Sequence, residues 1–118
     1  MKKILIADDE AYLRFILKET IDSKKYIIYE AGDGLETLEI AEKENPDIIL
    51  LDIAMPKISG YEVAKKLTKN KCNSKIIMLS AKAQKTDIEK GLSLGAHYYI
   101  TKPFDLLKLS NLIDEIAE

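Results

Sequence analysis

Short apolar runs alternate with amphipathic segments along the whole chain, and four of the five runs end in a polar side chain suited to phosphoryl chemistry. Lys3-Ile4-Leu5-Ile6-Ala7 runs into Asp8-Asp9, and Asp47-Ile48-Ile49-Leu50-Leu51 runs into Asp52. Lys75-Ile76-Ile77-Met78-Leu79 runs into Ser80, and Tyr98-Tyr99-Ile100-Thr101 runs into Lys102-Pro103. Alternation of this kind predicts parallel strands joined by crossover helices, because parallel strands need a long connection and the helix supplies it. All strand ends then fall on one edge of one sheet. Three carboxylates, a hydroxyl and an ammonium meet there.

The periodicity places strands at about 3–7, 26–30, 47–51, 75–80 and 98–101. Helices are predicted at 10–23, 34–44, 59–69, 84–94 and 105–117. Leu13, Ile16, Leu17, Thr20 and Ile21 share one face of the first helix, and Leu106, Leu109, Ile113 and Ile116 one face of the last. Asp33-Gly34 breaks the chain before the second helix, and Asn45-Pro46 stops it. Ser59-Gly60-Tyr61-Glu62 has the pattern of a capping box, Gly95 suits a left-handed cap, and Asp105 is placed to cap the last helix. The first, third and fourth strands are almost wholly apolar, as central parallel strands must be. The second and fifth are more polar, which makes them edges. The expected architecture is α/β: one doubly wound five-stranded parallel sheet, order 2-1-3-4-5, with five helices on both faces. The switch point of that order lies between the first and third strands, where ligands bind. It brings Asp8, Asp9 and Asp52 together.

The 118 residues suit one domain, 1–118, with no output domain in the chain and a core that needs no staple. Eighteen Lys and Arg against 20 Asp and Glu leave a charge of −2, so no nucleic-acid or anionic-membrane field follows and no direct nucleic-acid binding is expected. Lysines 65, 66, 69 and 71 read as a solvated helix face. The single cysteine, Cys72, cannot form an internal disulfide and reads as an inert loop thiol in a reducing compartment. No apolar run approaches transmembrane length and no signal segment is visible, so a cytoplasmic protein is expected.

An acidic pair before a helix is ordinarily a cap and dipole complement, and a strand-ending aspartate alone says little. The joint placement changes that. Clustered carboxylates repel unless a cation or proton intervenes, so the cluster reads as a site and not as a stabilising device. Its oxygen-only ligands, with no nearby Cys or His, favour Mg²⁺, or Mn²⁺, over Zn²⁺. One carboxylate could then attack phosphorus and form an aspartyl phosphate, with Lys102 and Ser80 meeting the charge of the transferring group.

The set Asp8-Asp9, Asp52-Ile53-Ala54-Met55-Pro56 with Gly60, Ser80-Ala81 and Lys102-Pro103-Phe104 closely resembles the receiver domain of bacterial two-component response regulators. The resemblance covers the whole chain in order. It implies that Asp52 is the phospho-acceptor, that Asp9 binds Mg²⁺ directly and Asp8 through water, and that the Ala54 carbonyl is a further ligand. It makes Lys102 the partner of the phosphoryl oxygens, and Ser80 and Tyr99 the switch pair. It puts a cis bond at Pro103. Met55-Pro56 and Gly60 would shape the loop after the acceptor. The implied partners are a histidine kinase or histidine phosphotransfer protein as donor, and a downstream protein target or effector domain as recipient. The implied chemistry is self-catalysed phosphotransfer and autodephosphorylation, not turnover of a small substrate. Affinity for the target would change through the face of the fourth helix, fifth strand and fifth helix.

Two departures bear on partners. Receivers of winged-helix transcription factors carry acids before the last strand and arginines on the last helix. Here the first stretch is Ala96-His97-Tyr98-Tyr99 and the last helix has no arginine, which argues against that dimer. The tail after Lys102 looks more like stand-alone or phosphorelay receivers. His97, the only histidine, lies at the start of an edge strand and reads as a structural or surface residue, so the donor histidine must belong to another protein. Tyr12 and Arg14, just after the acids, read equally as kinase contacts or solvated helix positions. Two rivals fit less well. A haloacid-dehalogenase-type phosphohydrolase places a second acid two residues after its nucleophile, where this chain has Ala54. A phosphorylation-independent pseudo-receiver typically loses an acid, the acceptor or the lysine, and all are present.

Overall fold

The computed structural model describes residues 1–21 and 24–118. The elements run β1 (Lys2–Ala7), α1 (Ala11–Thr20), β2 (Tyr26–Ala31), α2 (Gly34–Glu44), β3 (Ile48–Leu51), α3 (Gly60–Lys69), β4 (Lys75–Ser80), α4 (Lys85–Ser93), β5 (Tyr98–Thr101) and α5 (Leu106–Ala117). All four strand pairings are parallel, in the order β2-β1-β3-β4-β5. This is the predicted sheet, with the predicted edges.

Strand alternation sorts the core into two layers. Leu5, Ala7, Ile49, Leu51 and Met78 point to one face and pack with Ala41 of α2 and Val63, Ala64 and Leu67 of α3. Ile4, Ile6, Ile48, Leu50, Ile77 and Leu79 point to the other and pack with Leu17 of α1 and Leu109 and Ile113 of α5. Both faces of the central strands are therefore buried, which is why their sequences are continuous apolar runs.

The caps hold the helices in register with the strand ends. The Asp33 carboxylate accepts from Glu36 N–H, and Asp105 accepts from Leu107 and Lys108 N–H. At α3 the Ser59 hydroxyl accepts from Glu62 N–H, the forward half of the box read from the sequence. The chain leaves α4 through Gly95 at φ 118, where Gly95 N–H donates to Leu92 and Ala96 N–H to Gly91, the two bonds of a Schellman stop.

One helix differs from the expected 10–23. Helix α1 ends at Thr20, because Ile21 turns to extended backbone (ψ 131) and buries its side chain beneath the sheet. Asp22 and Ser23 lie outside the described residues. Among the described residues no helix is long and apolar enough to cross a membrane.

Candidate functional site

The sheet's carboxyl edge carries the site, and ladder bonds fix its backbone. Asp8 N–H donates to Ala31 C=O, Asp52 N–H to Ala7 C=O, and Lys102 N–H to Ser80 C=O. Each residue therefore leaves its strand in a set direction. The Lys102–Pro103 peptide is cis.

Lys102 joins two strand ends. Its ammonium lies 2.9 Å from Asp8 Oδ2 and 3.6 Å from Asp52 Oδ1. Asp8 is 2% exposed and Asp52 6%, so both charges sit largely out of water and the lysine offsets them. Asp8 Oδ1 also accepts from Glu10 N–H, and Asp52 Oδ1 from Ile53 N–H. The offset is incomplete at Asp52. Burial, then the Asp8 charge, push its pKa up to about 6 against the pull of Lys102. Lys102 itself is raised: burial works to lower it, but the hydrogen bond to Asp8 and the charges of Asp52 and Asp8 prevail.

The carboxylate oxygens of Asp8, Asp9 and Glu10 come within 4.8 Å of one another. Asp9 and Glu10 are exposed at this mouth. Asp52 stands beside that trio, linked to it through Lys102. An oxygen-only set at an open crevice suits a hard divalent cation that keeps part of its water. Glu10 was missed because an acid at a helix start reads as a cap; the unbroken run Asp8-Asp9-Glu10 was the available signal.

Ser80 shares the edge but faces sideways. It is 2% exposed, and its hydroxyl accepts from Lys82 N–H at 3.1 Å. Tyr99 is half-buried, and its hydroxyl donates to Lys82 C=O at 2.6 Å. Both residues thus hold the same residue of the β4–α4 loop. Ala54 is exposed on the loop after Asp52, while Met55 is buried. Gly60 N–H donates to Ile53 C=O and closes that loop. A Cβ on Gly60 would come within 2.2 Å of the Asp52 carbonyl oxygen, so only glycine lets α3 start so close to the site.

The Arg14 guanidinium is tied into the fold and is not a solvated helix position. It donates to the Asp8 carbonyl at 2.6 Å and to Glu30 at 3.1 Å, bracing β1 against β2. Tyr12 is 76% exposed. His97, exposed just before β5, is tied in too: its Nδ1 accepts from Ile76 N–H at 3.1 Å, and its backbone N–H donates to Ile76 C=O at 2.8 Å. Cys72 is half-buried in a cleft of about 790 Å³ between α2 and α3, which holds none of the site residues.

The family model for the response regulator receiver domain matches residues 4–114. The chain is 45% identical over 103 residues to the alkaline phosphatase synthesis transcriptional regulatory protein PhoP of Bacillus subtilis, covering 87% of this chain and 43% of that protein. It is 35% identical over 117 residues to sporulation initiation phosphotransferase F of the same organism, covering 99% of this chain and 89% of that one. The chain spans less than half the length of the first of these relatives. Among solved structures, the receiver domain of the Francisella response regulator 1452 superposes with a TM-score of 0.92 at 30% identity, over 98% of this chain and 96% of that one.

Proposed function

The chain belongs to the response regulator receiver family, the signalling domain of two-component systems, and from that premise we propose that Asp52 is its phospho-acceptor. The observation that carries the reading is the placement of Lys102, whose one ammonium reaches both Asp8 and the buried Asp52. With a pKa of about 6, Asp52 is mostly ionised at neutral pH and can act as a nucleophile.

The donor is a phosphohistidine on a histidine kinase or a histidine phosphotransfer protein. An Asp52 oxygen attacks phosphorus, the phosphorus–nitrogen bond breaks, and the imidazole leaves with the electron pair. Lys102 meets the developing negative charge on the phosphoryl oxygens, and the Ser80 hydroxyl turns from Lys82 N–H to hydrogen-bond to them. Water later attacks phosphorus and returns Asp52 as carboxylate with release of phosphate. His97 takes no part, since its Nδ1 is committed to the Ile76 amide.

The carboxylates fit a divalent cation, Mg²⁺ or Mn²⁺, with Asp8, Asp9, Asp52 and the Ala54 carbonyl as its holders. When bound, the ion supplies positive charge to the transferring phosphoryl oxygens. Output runs through the α4–β5–α5 face to a protein target or an effector domain, in the cytoplasm.

Incubation with a small phosphodonor and Mg²⁺, followed by intact mass, tests the reading. The wild type gains one phosphoryl group and Asp52→Asn does not. A phosphate mapped to a serine or tyrosine overturns the assignment.

A further inference from the structure

Helix α4 is weakly seated. Of its residues only Gly91 is buried, and Leu92 is 44% exposed. Gly91 lies against the ring of Tyr99, close enough that a Cβ there would sit 2.9 Å from it. With so little apolar contact, directed polar contacts decide where this helix rests.

Thr68 of α3 donates to the Leu94 carbonyl at the end of α4, and two tyrosines from different elements hold its start. Tyr99 on β5 donates to the Lys82 carbonyl just before the helix. Tyr61, in the first turn of α3, donates to the Asp87 carbonyl in the first turn of α4, at 3.2 Å. Lys90, one turn further along α4, places its ammonium 4.4 Å from the centre of the Tyr61 ring. Tyr61 and Tyr99 pack side by side against the same core layer. Burial pushes the Tyr61 hydroxyl up to about 12, and the neighbouring Tyr99 and Asp87 add to the shift. The hydroxyl therefore stays a donor at any physiological pH.

We propose that Tyr61 is a second switch aromatic, whose hydroxyl and ring hold α4 in the unphosphorylated position and whose release accompanies the movement of Tyr99. This rests on the receiver reading above. When Ser80 turns to a phosphoryl group, Lys82 N–H loses its acceptor and the loop holding the Tyr99 hydroxyl is free to shift. Movement of α4 then stretches the Tyr61–Asp87 bond and lifts Lys90 from the ring. A contact present in only one state opposes the transition by its own free energy, so Tyr61 sets the threshold for activation.

Tyr61→Phe removes the hydroxyl and keeps the ring, and Lys90→Gln removes the cation from the other side. Two measurements on the full chain separate the possible failures. Without ligand, amide hydrogen exchange of residues 85–93 should be about fivefold faster in Tyr61→Phe, the equivalent of one net hydrogen bond. With Mg²⁺ and beryllofluoride as phosphoryl mimic, both variants should bind the mimic more tightly than wild type, Tyr61→Phe by about fivefold and Lys90→Gln by about threefold. A purely structural Tyr61 would lower global stability and leave mimic affinity unchanged. Unaltered exchange in α4 overturns the tether, and faster exchange with unaltered affinity overturns the coupling. Wild-type protein that takes no mimic at Asp52 overturns the receiver reading, and the coupling falls with it.

Discussion

The shorter of the two ion pairs at the site joins Lys102 to Asp8 at 2.9 Å, while Asp52 is 3.6 Å away. The lysine thus compensates the most deeply buried charge first. The carboxylate proposed to react is buried and only partly compensated, so burial first and the Asp8 charge second push its pKa up to about 6. A nucleophile left short of positive charge gains when a metal or phosphoryl group arrives with more, and this has consequences for stability.

The folded protein holds the Asp52 proton to higher pH than the unfolded chain does. Its stabilising contribution is present below the unfolded pKa and is lost as pH rises through about 6. Asp52→Asn should therefore stabilise the metal-free protein at pH 7 by roughly 1–3 kcal/mol, with the gain vanishing near pH 4. The wild-type curve alone would mislead. His97 has a lowered pKa, from burial and then Lys75, and so contributes in the opposite sense. Denaturant unfolding of both proteins from pH 4 to 7.5 cancels it in the difference. A variant less stable than wild type at pH 7 in EDTA would show that some other group already neutralises Asp52.

Lys102→Met should do the reverse. It leaves Asp8 and Asp52 buried without their cation, and should cost about 3–5 kcal/mol at pH 7. At pH 4, where protonation relieves Asp52, the deficit should shrink. The lysine's own pKa is raised, so its contribution is whole below the ordinary lysine value and is lost only in strong alkali. Equal deficits at pH 7 and pH 4 would mean that Lys102 acts by packing its stem.

Mg²⁺ should raise the melting temperature of the wild type by mass action, corresponding to about 1.4 kcal/mol at ten times its Kd. Asp9→Asn should abolish that rise. Glu10→Gln should keep most of it, because Glu10 joins the carboxylate trio without belonging to the proposed ligand set. Thermal melts with EDTA and with Mg²⁺ decide between the two residues. A Glu10→Gln loss as large as that of Asp9→Asn would move the ion toward the trio and away from Asp52.

The parts of this structure legible in the sequence are those set by local chemistry. Ile48–Leu51 had to be a central strand because four consecutive apolar residues leave neither face for water, and the sheet buries all four. Asp105 announced a helix start because a carboxylate before an apolar period meets free amides, while Asp33-Gly34, legible as a break, supplies a cap as well. What stayed hidden depends on distant groups converging. Arg14 bonds the Asp8 carbonyl by reaching back across a helix turn, and no spacing rule distinguishes that from a solvated arginine. Tyr61 looked like part of a cap motif, and only the position of α4 gives its hydroxyl and ring their partners. Ile21 fits the apolar face of α1, yet burial is equally served by the extended turn that ends the helix there.

The coupling from site to output face can be followed by amide NMR. Ser80 and Tyr99 both bond to one loop residue, Lys82: the serine hydroxyl accepts from its N–H and the tyrosine hydroxyl donates to its carbonyl. If Ser80 turns to a phosphoryl mimic on Asp52, the Lys82 N–H loses its partner and its amide should shift first and farthest. The displacement should spread to residues 84–94 through the loop and to residues 98–101 through Tyr99. Residues 34–44, on the other side of the site, should move little. Tyr99→Phe keeps the ring and deletes the bond to Lys82, worth about 1 kcal/mol net. It should therefore populate part of the shifted state before any mimic is added, so that its Lys82 and α4 amides start nearer the bound positions. Shifts that stay around Asp52 and never reach residues 82–108 would mean that Ser80 and Tyr99 are neighbours in the fold without being linked in the switch.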